Sequence, residues 1–184
     1  MVGAEPTELK NLNVADFGDN LVVRLACGEE IPDLQAIDKA ARTRYAALPG
    51  LEFVADAEPI SADRLVSAEV WVAQSSGRIS GFAVLQPMDE MLYLANISVV
   101  PDASGRGIGA TLLAVASNRA KALGLSAVTL ATFRAPPWNG PWFRKQGFVP
   151  MPEERIGPGL RSILERHARS LDMETRETLW QQCA

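Results

Sequence analysis

The chain has 184 residues, 47% hydrophobic and 22% charged, with a formal net charge of -4 at pH 7. That length and apolar share suit one globular domain, 1–184, with a sizeable core, and the absence of any Lys or Arg block excludes the electrostatic footprint of a nucleic-acid binder. No apolar run approaches the roughly 18 residues of a membrane span, and the polar start MVGAEPTELKN lacks a signal-peptide core, so a soluble, cytoplasmic protein without a membrane partner is expected.

Cys27 and Cys183 lie far apart, with no CxxC or Cys/His cluster, so neither a metal site nor a disulfide framework is expected and both read as free buried thiols. His167 is the single histidine. Its neighbours Leu160, Ile163, Leu164, Ala168 and Leu171 have the spacing of one apolar helix face, which puts His167 on a helix and makes a histidine triad an unsuitable reading.

In chain order, residues 1–20 read as an irregular polar arm and Leu21 to Ala26 as a first strand. Ile31, Leu34, Ile37, Ala40, Ala41 and Tyr45 recur at helical spacing until Pro49-Gly50, and Ser61 is placed to cap a short helix over Ala62 to Ser67. Val70 to Gln74 and Ile79 to Gln86 are strand-like runs joined by Ser75-Ser76-Gly77-Arg78, a hairpin signature, and Leu92 to Val100 continues as a third strand. After Pro101 the period changes to that of a helix through Thr111, Leu112, Val115, Ala116, Arg119, Ala120 and Leu123, closed by Gly124. Ala127 to Thr132 is an apolar strand, so a strand, crossover helix, strand unit pairs these strands in parallel and makes the sheet mixed. A Pro- and Trp-rich loop (Ala135 to Trp142), a short helix to Gln146, a strand at Phe148 to Met151, a helix near Leu160 to Ser170 and a last strand near Thr178 to Gln182 follow.

The turn Ser104-Gly105-Arg106-Gly107-Ile108-Gly109-Ala110 sits between a strand and a helix, where backbone N–H groups and the positive end of the helix dipole can face one anion. Glycine is required because a side chain would block a phosphate and because such turns use φ above zero. Gly105, Gly107 and Ala110 also satisfy the dinucleotide pattern G-x-G-x-x-G/A, with Arg134 available to an NADP phosphate. Antiparallel strands before the turn and too little chain after it for further βαβ units weigh against that reading; no Gly-Lys-Ser/Thr follows, which excludes a P-loop.

Asn96-Ile97-Ser98-Val99-Val100-Pro101, then Gly105-Arg106-Gly107-Ile108-Gly109, then Asn139 and Phe143-Arg144-Lys145-Gln146-Gly147-Phe148 resemble the GNAT superfamily of N-acetyltransferases in order and spacing. The similarity runs from about Val70 to Phe148. It implies an α/β (α+β) fold with a mixed central sheet of six to seven strands flanked by helices and splayed at the cofactor site. It further implies acetyl-CoA as cofactor, with the backbone of Ile97, Ser98 and Val99 along the pantetheine arm, Ser104, Gly105, Arg106, Gly107, Ile108 and Gly109 around the pyrophosphate, and Asn139 and Phe143 beside the pantetheine. The activity so implied is direct transfer of an acetyl group to an amine of a small molecule or a protein or peptide in a ternary complex, and homodimers are frequent in the family.

Three residues depart from the family pattern. Ser104 replaces Gln or Arg, Asn96 replaces a frequent glutamate base, and Phe143 replaces a tyrosine acid. Tyr93 and Asn96 are the catalytic candidates: Asn96 stands neutral at the usual base position, and Tyr93 on the third strand, Glu69 before the first hairpin strand and Asp89 or Glu90 in the following turn are candidates for relaying the amine proton. The departures also motivate the alternative of a GNAT-fold acyl-CoA-binding sensor or interaction module without transfer. For the acceptor, Arg42, Arg44 and Tyr45 suit an acidic group and Glu52, Asp56 and Glu58 a cationic one.

Overall fold

Alternating and helical spacings fold into eight strands and six α-helices among residues 12–13 and 21–183, the part of the chain that the computed structural model describes. They group into two compact units, Met1–Leu85 with Asn96–Ala114 and Gln86–Ala95 with Val115–Ala184.

The first unit contains β1 (Leu12–Asn13), β2 (Val22–Leu25), α1 (Ile31–Arg42), α2 (Glu52–Asp56), α3 (Ala62–Val66) and β3 (Glu69–Ser75). It also holds most of β4 (Arg78–Met88), the end of β5 (Met91–Val99) and the start of α4 (Ile108–Ala122). Its strands follow one another in the order β1-β2-β3-β4-β5, with β1–β2, β2–β3 and β3–β4 antiparallel. The β3–β4 turn puts Ser76 at φ 48° and Gly77 at φ 80°, the two-residue, doubly left-handed geometry whose twist matches the strands it joins. Val23, Val72, Ala73, Phe82, Ala83, Leu34 and Leu112 are buried; each of the larger ones contributes about 1.5 to 3 kcal/mol by leaving water. Pro32 in the first turn of α1 removes a donor that the helix does not use there.

The second unit holds the start of β5, the end of α4, β6 (Ala127–Phe133), α5 (Gly140–Lys145), β7 (Val149–Pro150), α6 (Pro158–Ala168) and β8 (Arg176–Gln182). As α4 returns the chain, β6 joins β5 in parallel at Leu92↔Val128 and Tyr93↔Thr129. β8 then enters between β6 and β7, antiparallel to both. Met91, Tyr93, Ala127, Met151, Leu160 and Ile163 form its buried cluster. The fold is thus the mixed α/β sheet flanked by helices that the resemblance implies.

Several local readings change. The helix at Ile31 ends at Arg42 and tightens into a 3-10 turn over Thr43–Ala47, and α2 lies in a stretch without helical spacing. Ser61 does precede α3, but its side chain makes no capping bond. The strand read at Phe148 to Met151 shortens to two residues. Leu12–Asn13 is a short strand rather than irregular chain, and the rest of the 1–20 arm lies outside the described residues. Cys27 is exposed and Cys183 partly so, not buried, because neither sits on an inward-facing strand or helix position. His167 is on α6. Among the described residues no helix is long and apolar enough to cross a membrane.

Candidate functional site

β5 and the turn after it carry most of the candidate residues. In the second unit the β5–β6 ladder ends at Tyr93↔Thr129, although Leu94 and Ala95 on one strand and Leu130 to Phe133 on the other remain extended. Backbone groups released from a ladder need other partners.

In the first unit β5 runs into a 3-10 turn, Pro101–Ala103, and then the glycine turn, where Gly105 has φ 79° and Gly107 φ 83°. Both values lie in the left-handed region that an L side chain enters at a cost of about 1 to 2 kcal/mol. A Cβ built on Gly105 would meet nothing within 4 Å, so the space against that backbone is open. Ser104, Gly105 and Arg106 are exposed and Ile108 is buried, which anchors the helix start while leaving the turn accessible. The 15-residue α4 begins at Ile108, so its first N–H groups have no intrahelical acceptor and add to the positive end of the dipole. Thr111 N and Oγ1 both donate to Gly107 O, at 2.9 and 3.2 Å, fixing the junction. An open, left-handed backbone turn opening a helix fits a diphosphate.

A buried polar cluster joins α1 to β5. Asp38, on α1, is 2% exposed. Its Oδ1 accepts from Asn96 Nδ2 at 3.0 Å and Ser98 Oγ at 3.1 Å, and its Oδ2 accepts from Ile60 N at 2.9 Å and Arg42 Nη2 at 2.7 Å. The sequence does carry a signal: with Leu34, Ile37 and Ala41, position 38 falls on the apolar stripe of α1 and yet carries a carboxylate. Asn96, read as a neutral replacement for a base, is thereby tied to a buried anion.

Arg42 is engaged by Asp38 and by Glu58 O (2.9 Å), so it serves the scaffold. Arg44 donates Nε to Ala41 O at 2.8 Å and Nη2 to Val99 O at 3.3 Å, next to the strand segment Ile97 to Val99. Burial pulls its pKa below the usual guanidinium value, with the Tyr45 phenol opposing. Tyr45 is buried, and Glu52, Asp56 and Glu58 are exposed. Glu69 accepts from Trp71 Nε1 at 2.7 Å.

In the second unit Asn139 precedes α5 and donates Nδ2 to Thr132 Oγ1 at 3.0 Å. Phe143 is 4% exposed and packs edge-on to Trp142 and Phe148, with centroids 4.9 and 5.6 Å away. Tyr93 belongs to the buried cluster of that unit. Asp89 accepts the N–H groups of Gly159 and Leu160 and so caps α6, while Glu90 is exposed.

Residues 67–150 match the family model described as an acetyltransferase (GNAT) domain. An amino-acid acetyltransferase of Pseudomonas syringae pv. syringae is 34% identical over 101 residues, 54% of this chain and 22% of that protein. The N-acetylglutamate synthase of Neisseria gonorrhoeae, in complex with coenzyme A and N-acetyl-glutamate, superposes with a TM-score of 0.67 at 19% identity over 89% of this chain and 35% of that one. The PaiA N-acetyltransferase of Thermoplasma acidophilum in complex with coenzyme A has a TM-score of 0.66 at 14% identity, over 88% and 98% of the two chains. Over residues 67–150 the chain is similar to the GNAT acetyltransferases. It spans about a fifth of the length of the curated relative.

Proposed function

We propose that the chain is an acetyl-CoA-dependent N-acetyltransferase acting on an amine of a small molecule or a protein or peptide by direct attack in a ternary complex. The observation that carries this reading is the glycine turn, left-handed at Gly105 and Gly107 and open at Gly105, that leads into α4. On this reading Ser104 to Gly109 hold the pyrophosphate and the backbone of Ile97, Ser98 and Val99 runs along the pantetheine. Asn139 and Phe143 are assigned contact with the same ligand on the resemblance alone. Bound there, the thioester supplies an activated acetyl group. The chain's own part is to orient it and to offer backbone near Val99 to the carbonyl; with Asn96 neutral, the proton that the amine loses leaves through water, and Tyr93 is the hydroxyl candidate for relaying it. A cytoplasmic location and a homodimer belong to the same reading; fractionation and sedimentation equilibrium test them.

The relatives named for amino-acid acetylation direct the first acceptor panel to free α-amino acids, followed by polyamines and peptide N-termini. Acetyl-CoA is incubated with the chain and each amine, and free thiol is followed alongside the melting temperature. Transfer releases thiol with at least one acceptor. Thermal stabilisation by acetyl-CoA with no thiol release across the panel would leave only an acyl-CoA-binding module.

A further inference from the structure

The Asp38 carboxylate divides its bonds by direction. Oδ2 faces the scaffold, taking Arg42 Nη2 and Ile60 N, whereas Oδ1 faces β5, taking Asn96 Nδ2 at 3.0 Å and Ser98 Oγ at 3.1 Å. An ionised carboxylate only accepts, so the end of the Asn96 amide that meets it has to be the NH2 end. That sets where Asn96 Oδ1 sits. The Ser98 hydroxyl is also 3.2 Å from Asn96 Oδ1, but it has one proton, and a carboxylate is the stronger acceptor. Donation to Asp38 leaves the Asn96 carbonyl oxygen with lone pairs to offer. Exposure rises in the same order, with Asp38 and Ser98 buried and Asn96 only half-buried, so the amide is the member of the cluster that another molecule can reach.

We propose that Asp38 is a positioning residue for transfer: it fixes the Asn96 carboxamide with Oδ1 presented to an N–H of the incoming amine, which aims the nitrogen lone pair at the acyl carbon. This rests on the transferase reading above. The amide receives no proton; it accepts a hydrogen bond, and the proton released as the C–N bond forms passes to water. Asp38→Asn destroys the arrangement with almost no change of volume, because the new NH2 group can face the Asn96 amide and favour the opposite flip.

The test uses the full chain with L-glutamate and n-propylamine as acceptors. Asp38→Asn and Asn96→Ala should each lower kcat/KM for the amine about tenfold while the calorimetric Kd for acetyl-CoA changes less than about twofold. Because both act through one amide, the double variant should be no slower than Asn96→Ala alone. Nuclear magnetic resonance adds a readout that needs no turnover: with coenzyme A bound, the Asn96 side-chain NH2 pair, assigned by its loss in Asn96→Ala, should shift when n-propylamine is added to wild type and stay still in Asp38→Asn. If wild type releases thiol but Asn96→Ala is as fast, or if the NH2 pair ignores the amine, the inference is overturned. Absence of thiol release with every acceptor overturns the transferase reading instead, and the resonance measurement then still decides whether the amide meets an amine. Asn96→Ala also serves where Asp38→Asn fails to fold.

Discussion

Asp89 accepts the backbone N–H of Leu160 at 2.7 Å across 71 positions of sequence, so the tip of the β4–β5 turn is the cap of α6. The Gly159 N–H joins it at 3.0 Å. Helix N–H groups left without partners cost about 0.5 to 2 kcal/mol, and Asp89→Ala should lower unfolding free energy by that amount in urea melts. Asp89→Asn, which keeps an acceptor and tolerates the φ of 48° found there, should cost less. Equal losses for both variants would mean that the carboxylate is not acting as a cap.

The same glycine geometry that opens the anion turn makes it sensitive to substitution. Gly107→Val places a branched side chain at φ 83°, where strain costs about 1 to 3 kcal/mol, and puts its methyl groups where a phosphate is to approach. Calorimetry on folded variant should show acetyl-CoA binding weakened about tenfold or more. Unchanged affinity would remove the anion site, and tighter binding of NADPH than of coenzyme A would restore the dinucleotide reading.

What the sequence made legible is local. The doubly left-handed Ser76-Gly77 hairpin, the closure of α4 at Gly124 and the glycine turn each announce themselves within a few residues, since glycine is cheap only where φ is positive. The Asp38 cluster joins residues 58 and 60 positions apart, and nothing near Asn96 or Ser98 indicates a carboxylate behind them. Its one trace, an aspartate on the apolar stripe of α1, is legible only when each polar residue on a buried face is treated as a question about its partner. The insertion of β8 between β6 and β7 is likewise decided by long-range pairing rather than by any local pattern.

Arg24 and Glu30 give the fold an acid-sensitive link. Arg24 Nη1 and Nη2 meet the two Glu30 oxygens at 3.0 and 2.6 Å, and Glu30 also accepts Cys27 N at 2.7 Å, tying β2 to the turn that opens α1. The Arg24 hydrogen bond, opposed by burial and aided by the Cys27 N–H, holds the Glu30 pKa below its usual value. A carboxyl whose folded pKa is depressed contributes stability that is present above its unfolded pKa and lost as pH falls through the folded one. The urea midpoint of wild type should therefore fall as pH drops below about 4.3, and Glu30→Gln, already lacking the contribution at neutral pH, should show a shallower fall. Parallel curves for the two proteins would rule the link out.

Proton handling is the last point at which structure changes an expectation. A primary amine with pKa about 10 is mostly protonated at pH 7, and freeing it costs roughly 4 kcal/mol, so with a neutral Asn96 the rate should climb with pH to about 9. Sequence alone makes Asn96→Glu the simple remedy, a base restored where the family carries one. The structure adds the Asp38 Oδ1 at 3.0 Å from the Asn96 amide nitrogen, and a glutamate there would face a buried carboxylate with only the single proton of the Ser98 hydroxyl to share between them. Like charges at that distance raise the pKa of one partner and destabilise the fold, so Asn96→Glu alone should cost about 1 to 3 kcal/mol in urea melts. Adding Asp38→Asn replaces the repulsion with an amide that can donate to the new carboxylate, and the double variant should recover stability and move its pH–rate profile to lower pH than wild type. A single Asn96→Glu variant as stable as wild type would show that Asp38 does not face position 96, and a wild-type rate that is high and flat between pH 6 and 8 would show that another base is in place.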